Sequence, residues 1–132
     1  MRVGFLTFGD SRDEVFIPRI NVINNYSDKL EHSLISRGVE LIKVNKIIRS
    51  VKSAKKEIEQ FHKLGIKSIV LHIPTWVDPI IVIAAAAIAD ANSFETIIVG
   101  NKDNHSASIG AMMAISGALK AAGIRSYRIN CD

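Results

Sequence analysis

Arg12 stands in a short stretch of hydrogen-bonding side chains, GDSRDE at residues 9–14. Its guanidinium is a planar fork of N–H donors, suited to hydroxyls, carboxylates or phosphates. Asp10, Ser11, Asp13 and Glu14 supply acceptors around it. A second polar stretch, IPTWVDP at residues 73–79, holds the only tryptophan, Trp76, beside Thr75 and Asp78. Pro74 and Pro79 restrict the backbone on either side of it. An aromatic plate beside hydrogen-bonding groups suits a sugar, whose C–H face lies on the ring while its hydroxyls find donors and acceptors. A third stretch, GNKDNHSAS at residues 100–108, offers Asn101, Lys102, Asp103, Asn104 and His105 ahead of a helix start at Ser106 or Ser108. A helix N-terminus attracts anions, although capping by those serines explains the same pattern. Plainer readings stand beside each: Trp76 as a lid on the core, Arg12 in an ion pair with Asp13 or Glu14, His105 as a surface histidine rather than an acid or base.

Each of these stretches follows an apolar run, VGFLTF, SIVLHI or TIIVG, that reads as a buried strand, and each precedes a helical pattern. The first strand covers residues 3–8. A helix over about residues 18–37 has Ile20, Ile23, Tyr26, Leu30 and Leu34 at threes and fours, with Gly38 as its stop. Residues 39–44 read as the second strand. A helix over residues 50–64 carries Val51, Ala54, Ile58 and Phe61 on one stripe, and Gly65 ends it. Residues 68–73 form the third strand, and Asp78-Pro79 is a helix start, with Asp as N-cap and Pro in the first turn. The helix behind it, IIVIAAAAIADA, has almost no polar face, which predicts cover on more than one side and hence a neighbouring subunit or a further domain. A short helix beneath the domain's own loops is the alternative. Residues 96–99 give the fourth strand and residues 107–122 the last helix, where Gly110, Ala114, Gly117 and Ala121 predict a close approach to the sheet. Residues 124–129 form the fifth strand.

Strands alternating with helices, without hairpin signals, predict a single flavodoxin-like α/β domain over residues 1–132. Its parallel sheet would be covered on both faces, with strand order 2-1-3-4-5. The loops leaving strands one and three then flank the crevice where such sheets bind ligands. His72 interrupts an apolar strand and reads as a satisfied core residue; His32 and His62 carry no signal.

The 132 residues carry a formal charge of +4 and are 48% apolar, which argues against disorder. Lys46, Arg49, Lys52, Lys55, Lys56 and Lys63 cluster, but only Phe61, at core spacing, lies among them. A solvated helix face is expected there rather than a nucleic-acid stripe. Cys131 is the only cysteine, so a reducing, cytoplasmic setting is expected. The N-terminus lacks a signal-peptide layout, and the longest apolar stretch, residues 79–89, is short of the roughly 20 residues of a membrane span. The hydroxyl- and glycine-rich phosphate loop of flavodoxins is absent, as are GxGxxG and P-loop motifs. No Asp ends the third strand, as a phosphoacceptor receiver requires. No nucleophile–histidine set or metal-ligand spacing is visible. The domain looks equipped to bind rather than to catalyse alone.

At VGFLTFGDSRDE, the IPTW turn, IIVGN and the GIRSYRI ending, the chain resembles the N-terminal domain of the L-fucose isomerase family, which extends to L-arabinose isomerase-like proteins. The resemblance implies part of a metal-dependent aldose–ketose isomerase, usually with manganese, working through an enediol. It implies Arg12 as the arginine given to the sugar site and Trp76 as the aromatic that stacks on the sugar. It also implies a domain facing the catalytic centre of an adjacent subunit, with Glu, Asp and His metal ligands contributed by later domains. The expectation is a substrate-docking and assembly domain with Arg12, Trp76, Asp10, Ser11, Asn101 and His105 lining the sugar site. It would hold no metal of its own and would form a homo-oligomer or join a catalytic partner. A stand-alone sugar-binding or regulatory module is the alternative, and a purely structural assembly domain a third.

Overall fold

The structure, a computed structural model, describes residues 1–103 and 107–131. Five strands, β1 (Arg2–Thr7), β2 (Glu40–Lys43), β3 (Ser68–Ile73), β4 (Glu95–Asn101) and β5 (Tyr127–Cys131), form one sheet in the order β2-β1-β3-β4-β5. All four pairings are parallel. Such strands must be joined by crossovers, which helices supply. The first crossover holds a short helix α1 (Asp13–Phe16), a 3-10 turn (Ile17–Arg19) and α2 (Ile20–Ser36). The others are α3 (Val51–Lys63), α4 (Pro79–Ala91) and α5 (Ser108–Ala121). This is the flavodoxin-like arrangement.

Alternation along the strands divides the core. Leu6, Ile69, Leu71, Ile73 and Ile98 face the side covered by α3, α4 and α5, in one cluster with Ile58, Phe61, Ala85, Met112 and Ile115. Val3, Phe5, Val70 and Val99 face the other side and cluster with Leu30 of α2. Several boundaries follow local chemistry. Ser50 caps α3 by accepting from the Ser53 N–H at 3.2 Å, and Asp78 caps α4 by accepting from the Ile80 N–H at 3.1 Å. Gly38, Gly65 and Gly123 take positive φ where α2, α3 and α5 stop.

Four expectations change. The first helix does not run on from Pro18: that residue lies in a 3-10 turn, its missing N–H interrupts the α-helical ladder, and α2 begins at Ile20. β5 starts at Tyr127, not at residue 124, because the Ile124 N–H bonds to the Leu119 carbonyl and finishes α5. The apolar helix α4 lies between α3 and α5 over the sheet, so its flanks are covered within this chain. Ile81, Val82, Ala85, Ala86 and Ala89 are buried, Ile83 and Ile88 are half-buried, and only Ile80 stands out, at 67% exposure. Within this chain the apolar circumference is thus covered except at Ile80.

The small residues of α5 also point elsewhere. Gly110, Ala114, Gly117 and Ala121 are exposed, while Ser108, Ala111, Met112, Ile115 and Leu119 face inward. Burying Met, Ile and Leu removes more apolar surface from water than burying Gly and Ala, and that sets the helix rotation. No helix among the described residues is long and apolar enough to cross a membrane.

Two glycines should therefore respond oppositely to alanine. A Cβ at Gly117 meets nothing within 4 Å, whereas one at Gly4 falls 2.6 Å from the Phe61 ring. Gly117→Ala should raise stability by up to about 1 kcal/mol through helix propensity, and Gly4→Ala should lower it by about 1–3 kcal/mol through overpacking. Chemical denaturation of the two variants measures both.

Candidate functional site

Main-chain bonds beyond the strands hold the loop after β1 in place. The Ile48 N–H donates to the Thr7 carbonyl at 2.8 Å, and the Gly9 N–H donates back to the Ile48 carbonyl at 2.9 Å. The Phe8 N–H bonds to the His72 carbonyl at 2.9 Å. The loop after β1 is thereby held against the loop before α3 on one side and against β3 on the other. Gly9 has no room for a side chain: a Cβ would meet the Phe16 ring at 2.8 Å and Ile47 at 3.0 Å.

Asp10 turns inward and is 1% exposed. Its Oδ1 accepts from the Arg12 backbone N–H at 3.0 Å and from Arg12 Nε at 2.9 Å, and its Oδ2 accepts from Arg12 Nη2 at 3.3 Å. The Asp78 backbone N–H, at the head of α4, adds the smallest of the effects that favour the ionised carboxylate. Burial alone would push the Asp10 carboxyl up; the Arg12 side chain and backbone and the Asp78 N–H outweigh it and hold it below the usual carboxylate range. The same pair raises the Arg12 guanidinium pKa. The arginine's partner is thus Asp10, not Asp13 or Glu14. Two of its five N–H donors are spent on the carboxylate, and the side chain stays 55% exposed, so three remain for a ligand.

The loop after β3 meets this arrangement through Asp78. Thr75 is 1% exposed and Val77 is buried, while Trp76 between them is half-buried and packs on the main core cluster. Trp76 therefore partly covers the core, as one of its two readings required, and stays partly exposed. Ser11 is exposed at the tip of the first loop.

Asn101 lies deeper. It is 3% exposed, and its carboxamide oxygen accepts from His72 Nε2 at 2.7 Å. Its backbone N–H donates to Ser108 Oγ at 2.8 Å, and that hydroxyl donates to the Ile73 carbonyl. A buried polar chain thus ties the ends of β3 and β4 to the start of α5, directly beneath the tryptophan loop. His72 is only half satisfied, since Nδ1 has no partner, and its ring stacks on Phe5 with centroids 5.8 Å apart. On the far side of that loop the Tyr26 hydroxyl bonds Asp103. His105 lies outside the described residues.

Sequence reasoning missed Arg49, hidden in a run of basic residues. It lies between β2 and α3, and its guanidinium sits 3.9 Å from the centroid of the Phe16 ring. Its Nε donates to the Asp10 carbonyl at 2.9 Å, and its Nη2 donates to the Ser11 carbonyl at 3.1 Å and to Asp13 Oδ1 at 2.6 Å. No spacing rule marks such a residue, because its partners are main-chain oxygens of another loop.

The described residues do not fit a manganese ion. Both Asp10 oxygens are engaged by Arg12, Asp78 caps α4, and no three His, Cys, Asp or Glu side chains are grouped to hold a metal. The arrangement offers hydrogen-bond donors and acceptors beside an aromatic residue.

A parallel α/β sheet with its polar groups gathered at the carboxyl ends of β1 and β3 defines a domain of the doubly wound class, whose members bind ligands at that edge. Over residues 1–132 the chain matches the family described as L-fucose isomerase, first N-terminal domain, and it belongs to that family. Searches of curated proteins and of solved structures returned no match.

The buried histidine generates a pH prediction. Burial holds His72 down at about 4, below the ordinary 6.5. The unfolded chain therefore binds the extra proton between those values, so stability is full above about 6.5 and falls as the pH drops toward 4. The loss should reach about 3 kcal/mol across that window. Urea unfolding from pH 7 to 4 checks the sign, and His72→Phe should flatten that part of the profile.

Proposed function

We propose that this chain is the substrate-docking domain of a metal-dependent aldose–ketose isomerase. It would bind a monosaccharide at the crevice between the β1 and β3 loops, with Mn²⁺ and its ligands supplied by another polypeptide or domain. The observation that carries this reading is the Asp10-held guanidinium of Arg12 beside the loop of the half-buried Trp76. A sugar needs donors aimed at vicinal oxygens and an apolar plate for its C–H face. A guanidinium fixed by a buried carboxylate presents its donors with little ordering left to do on binding. Family membership supports a sugar as the ligand.

In this division of labour the chain binds and orients. Arg12 donates to sugar hydroxyls or to an oxygen that gains negative charge, and Trp76 sets the face of the ring. Ser11 lies at the rim. Isomerisation moves a proton between neighbouring carbons and needs a base and an electrophile within about 3 Å of the reacting groups. Those groups come from the partner, and assembly with it, or with further copies of this chain, completes the site.

Trp76 is the only tryptophan, so its fluorescence reports directly on the crevice. Titration with a panel of aldoses and ketoses should give a saturable change for at least one of them. Arg12→Lys should weaken it about tenfold or more, because a point charge cannot keep the fork on Asp10 and still offer three donors. The isolated chain with Mn²⁺ should show no aldose–ketose turnover, and turnover should appear when a polypeptide bearing the metal ligands is added. Binding without turnover in any combination would favour a stand-alone sugar-binding or regulatory module. No response to any monosaccharide, alone or with the partner, contradicts both.

A further inference from the structure

Resting on the sugar-docking reading, we propose that Arg49 is the positioning residue of the site, clamping the peptide that carries Arg12 and so setting where its guanidinium can meet a ligand. The Ser11–Arg12 peptide is held at both ends. Its carbonyl oxygen accepts from Arg49 Nη2 at 3.1 Å, and its N–H donates to Asp10 Oδ1 at 3.0 Å. The preceding loop carbonyl, that of Asp10, accepts from Arg49 Nε at 2.9 Å. Two successive carbonyls thus turn toward Arg49, which leaves the Arg12 N–H directed at the buried carboxylate. Without that constraint the peptide is free to rotate, and the Arg12 side chain loses the fixed root that its bond to Asp10 requires.

Arg49 is itself fixed from two further sides. Asp13 Oδ1 lies 2.6 Å from Nη2, and the Phe16 ring lies against the guanidinium at 3.9 Å. Both belong to α1, whose four residues have no buried member and start directly after Arg12. So short a helix has little stability of its own, and Arg49 fastens it to the loop before α3. Lysine does not reproduce this. A planar fork can bond two carbonyls and a carboxylate while stacking on a ring, whereas an ammonium cannot.

The test separates positioning from simple stability and from the sugar reading itself. The Arg12 Nε–H resonance in a ¹⁵N spectrum reports the clamp without any ligand. It should be resolved and slow to exchange in the wild type, exchange at least about tenfold faster in Arg49→Ala, and recover in part in Arg49→Lys. Lys46→Ala, which breaks the 3.7 Å contact with Glu57 from the same loop, is the control for stability and should leave that resonance unchanged. With the sugar that gives the strongest Trp76 response, Arg49→Ala should raise Kd about tenfold and Arg49→Lys by less. An Arg12 resonance still protected in Arg49→Ala overturns the inference whether or not a sugar binds. A resonance released in Arg49→Ala but not in Lys46→Ala, in a chain that binds no monosaccharide, supports the clamp and sinks the docking role instead.

Discussion

A carboxylate taken out of water must be paired and hydrogen-bonded, or its charge is lost. Asp10 meets that requirement with the Arg12 side chain and N–H after β1, and the Asp78 N–H after β3 adds a smaller favourable effect. The chemistry that keeps Asp10 ionised therefore also fixes the loop after β1 and gives Arg12 one orientation. Around this centre the buried chain from His72 through Asn101 and Ser108 to Ile73 ties β4 and α5 to the base of the same loop.

Much of the fold was legible because it rests on period and on local chemistry. Apolar runs of strand length separated by helical stripes gave the order of elements, and right-handed crossovers reduced the possible orders to the one observed. Asp78-Pro79 and the glycines at 38 and 65 marked ends through capping and positive φ, which depend on one or two residues. Helix rotation was less legible. In α5 the spacing of Gly110, Ala114, Gly117 and Ala121 fits close packing as well as exposure, and only the competition with Met112, Ile115 and Leu119 for the sheet decides between them. In α4 an apolar circumference reports cover without saying whose, and here α3 and α5 provide it.

The candidate site was legible in its residue types and not in its pairings. Arg12, Asp10 and Trp76 stood out as polar or aromatic side chains at strand ends. The choice of Asp10 over Asp13 or Glu14 as the partner of Arg12 depends on which carboxylate turns inward, a tertiary outcome. Asn101 had the right place in the chain, and the structure commits its carboxamide oxygen to His72. Arg49 was invisible because a cation that bonds backbone carbonyls leaves no pattern in sequence. The chain belongs to the L-fucose isomerase family, and no metal set is grouped among its described residues.

The central claim is that the buried Asp10 carboxylate is held ionised chiefly by Arg12. Following the Asp10 side-chain carbon by ¹³C NMR from pH 7 to 2 tests it most directly. The account predicts titration below the ordinary value of 3.8, and an upward shift in Arg12→Leu, where burial is opposed by the backbone donors alone. Titration of Asp10 at or above 3.8 in the wild type, or no change when Arg12 is removed, would contradict it.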